Sequence, residues 1–217
     1  MVPLLDFPLR GVAWYQGESN AHNPDSWRFD LLARSWRMRT GDISLPFYIV
    51  QLSGIERPSW PWLRNTQRLA QRSVFATQMV VTSDLGLRHD VHPPYKRPVG
   101  ERLAQSMLRH TYGRSTSPVS PEVGQQSSAK DDRGELDLRE AQGLHGSDGQ
   151  SLRGFEIAGA DELFYPATVQ LDAEGKVQLR SPEVAKPCYV RYGWQPFPTC
   201  NVVNAAGLPL GTFRIRL

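Results

Sequence analysis

Residues 10–20 read Arg-Gly-Val-Ala-Trp-Tyr-Gln-Gly-Glu-Ser-Asn, where a short apolar run passes directly into a cluster of polar side chains. Such a run is typical of a buried strand. Further along, apolar runs alternate with amphipathic segments that have helical spacing. We predict strands over residues 10–16, 47–52 and 79–83, and helices over residues 26–39, 62–73 and 98–112. This β-α-β-α-β-α order predicts an α/β fold with a parallel sheet flanked by helices.

The second half of the chain has a different pattern. Residues 114–134 are rich in Ser, Pro, Gln and charged residues, which is typical of a linker or long loop. Short alternating segments separated by turn residues follow, and they predict a small antiparallel β-rich region. The predicted strands are residues 135–139, 151–157, 167–171, 176–180, 189–194 and 212–216. The chain therefore divides into residues 1–113, 114–134 and 135–217.

Composition narrows the class of protein. The 217 residues are 40% hydrophobic and 22% charged with a net charge of +3, as expected of an ordinary globular chain. The basic residues form no block, so nucleic acid is a poor candidate partner. No apolar run approaches the roughly 20 residues of a membrane helix, so we predict no membrane association.

Cysteine and terminal patterns add little. Cys188 and Cys200 are the only cysteines, which leaves open one disulfide or two free thiols. No cluster has metal-ligand spacing, so we predict no metal and no cofactor. Residues 1–6 lack the basic and apolar regions of a signal peptide. If Met1 is a true start, the chain would stay in the cytoplasm.

Two polar constellations follow predicted strands. The first is Gln-Gly-Glu-Ser-Asn over residues 16–20, and the second includes Asp90-Val91-His92-Pro93. Ligands bind outside the carboxyl ends of parallel strands, so both constellations are expected at one edge of the sheet. We infer that they form a single site.

The side chains of this site suit acyl transfer. His92 can serve as a general base if a carboxylate orients its ring, and Asp90 is the nearest one, with Asp84 as the alternative. Gln16 and Asn20 offer amide donors for an oxyanion, and residue 17 is a glycine that permits close backbone approach.

Simpler readings compete with this one. An Asp-x-His pair is common by chance, and residues 16–20 can also form a turn and helix cap with Ser19 or Asn20 at the N-cap. Trp60 and Trp62 lie between prolines and either pack in the core or form the floor of a sugar site.

The order of these motifs resembles the sialate O-acetylesterase family, which are SGNH-type serine carbohydrate esterases. The matching pieces are residues 10–20, 45–52, 84–85, 90–93 with Lys96, 100–104, 154–159, 190–194 and 207–209. The resemblance implies an SGNH-like parallel sheet, and removal of O-acetyl groups from sialic acid or related sugars by a serine nucleophile without a metal. Complete family members are usually secreted, periplasmic or lysosomal.

The resemblance also implies roles for residues. His92 is the catalytic base, Gln16 and Asn20 belong to the block that supplies oxyanion contacts together with Gly17, and Glu18 orients that loop. The superfamily's commoner spacing places the acid three residues before the histidine, where this chain has a histidine. The acid role then falls to Asp90 or to Asp84, or His92 acts with weaker support.

One family feature is missing. The family nucleophile lies in an upstream Gly-Gln-Ser-Asn block, which occurs nowhere in these 217 residues. We therefore expect the C-terminal part of an esterase, with a sheet incomplete at the N-terminus, inactive alone, and associated with an N-terminal partner fragment or as a homo-oligomer. Ser19 is the alternative nucleophile. A non-catalytic fragment that binds glycans or partners is the alternative function.

Overall fold

The computed structural model describes residues 7–172 and 176–217. The signal-peptide interpretation of residues 1–6 lies outside them. The first half contains β1 (Val12–Trp14), α1 (Phe29–Thr40), β2 (Phe47–Gln51), α2 (Trp60–Ser73), β3 (Thr77–Val81) and α3 (Lys96–His110). β1 pairs with β2 and β2 with β3, both in parallel, so the predicted α/β fold with a helix-flanked parallel sheet is confirmed.

The helix ends differ slightly from the sequence prediction. α1 begins at Phe29 rather than at residue 26, because residues 24–26 form a separate 3-10 turn. It ends at Gly41, whose φ of 70° is the left-handed conformation that glycine adopts without strain. α2 and α3 each begin two residues earlier than predicted. Pro61 and Pro98 fit the first helical turn, because a backbone N–H there has no partner within the helix and proline has none to offer.

The second half is built from short strands. They are β4 (Glu122–Val123), β5 (Ser128–Lys130), β6 (Arg133–Leu136), β7 (Leu138–Arg139), β8 (His145–Gly146), β9 (Phe155–Ala158), β10 (Phe164–Pro166), β11 (Thr168–Leu171), β12 (Val177–Arg180), β13 (Tyr189–Tyr192), β14 (Val202–Val203) and β15 (Phe213–Arg216). Within the described ranges they pair antiparallel in the orders β10-β9-β13-β15, β11-β12-β6-β5, β14-β8 and β4-β7. The predicted antiparallel β-rich region is confirmed.

The segment over residues 114–134, expected as a linker or long loop, carries β4, β5 and the start of β6. Val123 is 3% exposed and packs in the core of the β-rich region. Strands of two or three residues are held by backbone hydrogen bonds, so a composition rich in Ser, Pro and Gln did not predict them. The division into three regions remains a prediction.

A buried polar contact joins the two halves. The Gln51 side chain donates through Nε2 to the carbonyl oxygens of Arg64 and Thr212, at 2.9 and 3.1 Å. Its Oε1 accepts the Thr212 N–H at 2.9 Å. Because Gln51 is fully buried, the β-rich region packs directly on the α/β half.

Several other residues are placed by the fold. Trp60 is buried, and its indole donates to the Ser53 carbonyl oxygen at 2.6 Å, so it belongs to the core. Trp62 is 49% exposed and meets Trp194 edge to face. Both cysteines are free thiols. None of the helices in the described ranges combines the length and apolarity needed to cross a bilayer.

Candidate active site

The end of β1 is shaped by a glycine. Gly17 has a φ of 143°, which side-chain-bearing residues rarely adopt. A Cβ there would lie 3.1 Å from Cδ2 of Leu63 on α2. The chain then forms one 3-10 turn over Glu18–Asn20, closed by a 2.8 Å hydrogen bond from the Asn20 N–H to the Gly17 carbonyl. This tight turn places the polar cluster directly after the end of β1.

The polar cluster converges on Gln16. Its Nε2 donates to Asn20 Oδ1 at 2.7 Å, and its Oε1 accepts the indole N–H of Trp27 at 2.8 Å. Its carbonyl oxygen accepts Nε2 of Gln67 at 3.3 Å. The structure thus brings Gln16 and Asn20 together. The helix-cap reading does not fit, because the 3-10 turn starts after Gly17 without a side-chain cap.

An open groove of about 360 Å³ lies beside this cluster. Its walls are mainly aromatic and aliphatic, and its polar lining comes from two carboxamides and one guanidinium. The lining residues are Trp14, Gln16, Asn20, Trp27, Arg28, Phe29 and Leu32. Apolar walls with a few fixed polar groups are the usual make-up of a small-molecule site.

Glu18 and Tyr15 flank the cluster. Glu18 is half-buried at the start of the 3-10 turn. Burial raises the pKa of the neighbouring Tyr15 hydroxyl, and the negative charge of Glu18 raises it further.

The second constellation lies on the loop after β3. The Asp90 carboxylate accepts the backbone N–H of His92 at 2.8 Å, and the same oxygen lies 3.4 Å from His92 Nδ1. The His92 side chain is 86% exposed. The local turn therefore places a carboxylate on the Nδ1 side of the ring and leaves Nε2 facing outward.

Asp84 has a different partner. Both its oxygens accept from Arg102, at 2.7 and 2.6 Å, and Arg102 also donates to the Val81 carbonyl at 2.7 Å. This bidentate pair fastens α3 to the end of β3. Asp90, not Asp84, is the carboxylate beside His92.

The two constellations occupy the same edge of the sheet, because β1 and β3 both run parallel to β2. Val91 packs against the same core cluster as Trp14 and Tyr15. Nζ of Lys96, at the start of α3, lies 5.2 Å from the centre of the Tyr15 ring. In the part of the chain that is described, His92 makes no direct hydrogen bond to Gln16 or Asn20.

Trp27 and Gln67 were not predicted as site residues. Trp27 has the sequence appearance of a core tryptophan, and its polar role depends on a contact 11 residues away. Gln67 offered a readable signal, since it lies on the apolar face of α2 with Leu63 and is fully buried. A buried amide on such a face requires partners.

A family model and a solved structure both match this chain. The family model described as carbohydrate esterase, sialic acid-specific acetylesterase matches residues 4–109. Among solved structures, the crystal structure of XAC1771, a novel carbohydrate acetylesterase from Xanthomonas citri, superposes with a TM-score of 0.90 at 37% identity. The match covers 98% of this chain and 52% of that one, so this chain spans about half the length of that protein. No curated protein sequence matches significantly.

Proposed function

We propose that this chain, which is similar to carbohydrate acetylesterases, forms part of a site that removes O-acetyl groups from sialic acid or related sugars at this edge of the sheet. The observation that carries the proposal is the location of two polar constellations at the same edge of the sheet. One is the Trp27–Gln16–Asn20 chain of hydrogen bonds, and the other is the Asp90–His92 pair. Oxyanion donors and a carboxylate-supported base are what serine-based acyl transfer requires.

His92 acts as the general base in this proposal. With Asp90 beside Nδ1, the proton of a serine hydroxyl passes to Nε2 as the serine oxygen attacks the acetyl carbon. The sugar oxygen leaves and takes that proton. Water then attacks the acetyl-serine and gives a proton to Nε2. Nε2 passes that proton to the serine oxygen as the acyl bond breaks, and the acetic acid released ionises to acetate.

Gln16 and Asn20 supply donors for the negative charge that forms on the acetyl oxygen. Glu18 begins the turn that sets their direction. The aromatic groove beside them suits the methyl group of an acetyl ester and the apolar face of a sugar ring.

The nucleophile lies outside these 217 residues in our proposal, so this chain by itself is inactive. The family block Gly-Gln-Ser-Asn is absent from the sequence, and Ser19 is exposed on the 3-10 turn. In the described part of the chain, β1 pairs on one side only. A strand from an N-terminal partner fragment, or from a second copy, fits that open edge.

The test is acetate release from O-acetylated sialic acid and from an aryl acetate, with a fluorophosphonate serine probe in parallel. We expect neither turnover nor labelling from this chain alone. Turnover with Ser19 labelled would overturn the placement of the nucleophile. Binding of the acetylated sugar in calorimetry, without turnover whether the chain is alone, with an N-terminal partner fragment or with a second copy, would favour the alternative, a glycan-binding fragment.

The roles of the two carboxylates can be separated in a protein that also carries the serine. Asp90→Asn should lower kcat because the His92 ring loses its partner. Asp84→Asn should leave kcat near its parent value and lower stability by about 1 kcal/mol, because it breaks the pair with Arg102. His92→Ala should abolish turnover. His89→Ala is the matched control, since His89 has no role in the proposed mechanism. Equal kcat in parent and His92→Ala would remove His92 from the mechanism.

A further inference from the structure

The orientation of a side-chain amide decides what it can do in a site. The oxygen and nitrogen of a carboxamide have nearly the same shape, so neighbouring groups must fix which is which. An indole N–H can only donate. The atom of Gln16 that faces Trp27 Nε1 at 2.8 Å is therefore the oxygen, Oε1.

Trp27 is held firmly enough to impose this choice. It is 7% exposed, and its ring stacks on Phe29 with centroids 5.3 Å apart and planes 14° from parallel. Its backbone N–H donates to the Pro24 carbonyl at 3.1 Å. The indole therefore cannot turn away from Gln16 without breaking a buried aromatic stack.

The consequence appears on the other side of Gln16. With Oε1 facing Trp27, Nε2 lies on the Asn20 side of the carboxamide, where one of its hydrogens bonds Asn20 Oδ1 at 2.7 Å, and both residues line the groove. For the second hydrogen, the described residues provide no acceptor. A half-buried N–H with no acceptor beside an apolar groove is suited to a ligand oxygen.

We propose that Trp27 is a positioning residue that locks the Gln16 carboxamide with its N–H groups toward the groove, where Nε2 donates to the acetyl oxygen of the ester. The assignment of that oxygen rests on the proposed function. The lock itself is a property of the free protein. It can be measured without turnover.

The test uses side-chain amide NMR of the whole chain. In Trp27→Phe the ring stack on Phe29 is retained and the indole N–H donor is lost. The Gln16 carboxamide is then free to flip, so that its oxygen and nitrogen exchange places. We expect hydrogen exchange at Gln16 Nε2 to become about tenfold faster. The chemical shifts of its two protons should converge, because the hydrogen bond from one of them to Asn20 is no longer held in place. Trp36→Phe is the matched control, because Trp36 packs edge to face on Phe47 in the same core without an indole hydrogen bond among the described residues.

A second measurement needs no variant. In the parent protein, nuclear Overhauser contacts should show that the Gln16 Nε2 hydrogens lie closer to Asn20 than they do to the indole hydrogen of Trp27. The reverse pattern, or unchanged Gln16 signals in a folded Trp27→Phe, would overturn the lock and leave the esterase proposal standing. A protein that also carries the serine and still releases no acetate would overturn the esterase proposal and leave the lock standing, so the two failures are distinguishable.

Discussion

Nε2 of Gln67 lies 3.3 Å from the carbonyl oxygen of Gln16 and 3.2 Å from that of Val50, while Oε1 of Gln67 accepts the Leu52 N–H at 3.0 Å. A single buried amide on α2 thus ties the end of β1 to the end of β2. The oxyanion side of the proposed site is fixed to the sheet by a residue that lies behind it.

Gln67→Leu should lower the free energy of unfolding by about 2–4 kcal/mol, because two buried backbone groups and one half-buried carbonyl lose their partner. Urea unfolding measures this change. Gln105→Leu is the matched control, since the Gln105 side-chain oxygen is buried without a partner and its removal should be neutral or stabilising. Equal losses in both variants would contradict the tethering role of Gln67.

Gly17→Ala should destabilise the protein by about 1–3 kcal/mol and shift the amide signals of Gln16 and Asn20. The reason is a φ of 143° together with a Cβ position 3.1 Å from Leu63. The control is Gly100→Ala on α3, where the new Cβ meets nothing within 4 Å. That variant should be more stable by about 0.5–1 kcal/mol. Thermal unfolding and amide spectra together report both effects, and an unstrained Gly17→Ala would refute the argument.

Periodicity predicted the α/β half well, because β2 is continuously buried and the helices carry apolar faces. It missed β4, β8 and β14, since strands of two residues are held by backbone bonds and carry no alternation. The sheet edge of the site was predictable from strand order alone.

The hydrogen bonds and ion pairs of the site were not predictable from the sequence. Trp27 reaches Gln16 only because the 3-10 turn over Pro24–Ser26 redirects the chain before α1. The separation of Asp84 from His92 depends likewise on Arg102, a contact spanning 18 residues. Such contacts depend on where the folded backbone places side chains.

Arg64→Met should lower the free energy of unfolding by about 1–3 kcal/mol. Nη2 of Arg64 donates to the carbonyl oxygens of Gly193, at 3.0 Å, and of Gln195, and burial lowers the pKa of the guanidinium to about 10. Met keeps the packing of the stem but leaves two carbonyls unpaired, and relief of the buried charge offsets part of the loss.

Urea unfolding followed by tryptophan fluorescence measures the Arg64 effect, with exposed Arg34→Met expected to change stability by less than about 0.5 kcal/mol. The parent should unfold in one transition, because Arg64 joins α2 to the loop after β13. A parent that unfolds in two separate steps would show that this contact does not couple the halves.

Cys200 should make stability fall in alkaline solution. Its thiol is enclosed by backbone, since a Cβ on Gly154 would lie 2.5 Å from Sγ and one on Gly193 3.4 Å away. Burial raises the pKa of this thiol from 9.0 to about 11. The unfolded chain therefore loses the proton first, and the stability contributed by the neutral thiol is complete below pH 9 and is lost as the pH rises to about 11.

The difference in unfolding free energy between the parent and Cys200→Ala should accordingly shrink by about 2 kcal/mol between those two pH values. Alkylation at pH 8 gives an independent reading, because only the thiolate reacts and Cys200 should be modified far more slowly than in the urea-unfolded chain. Modification at the same rate in folded and unfolded protein would mean that the thiol is accessible and ionised, contrary to the enclosure seen beside Gly154.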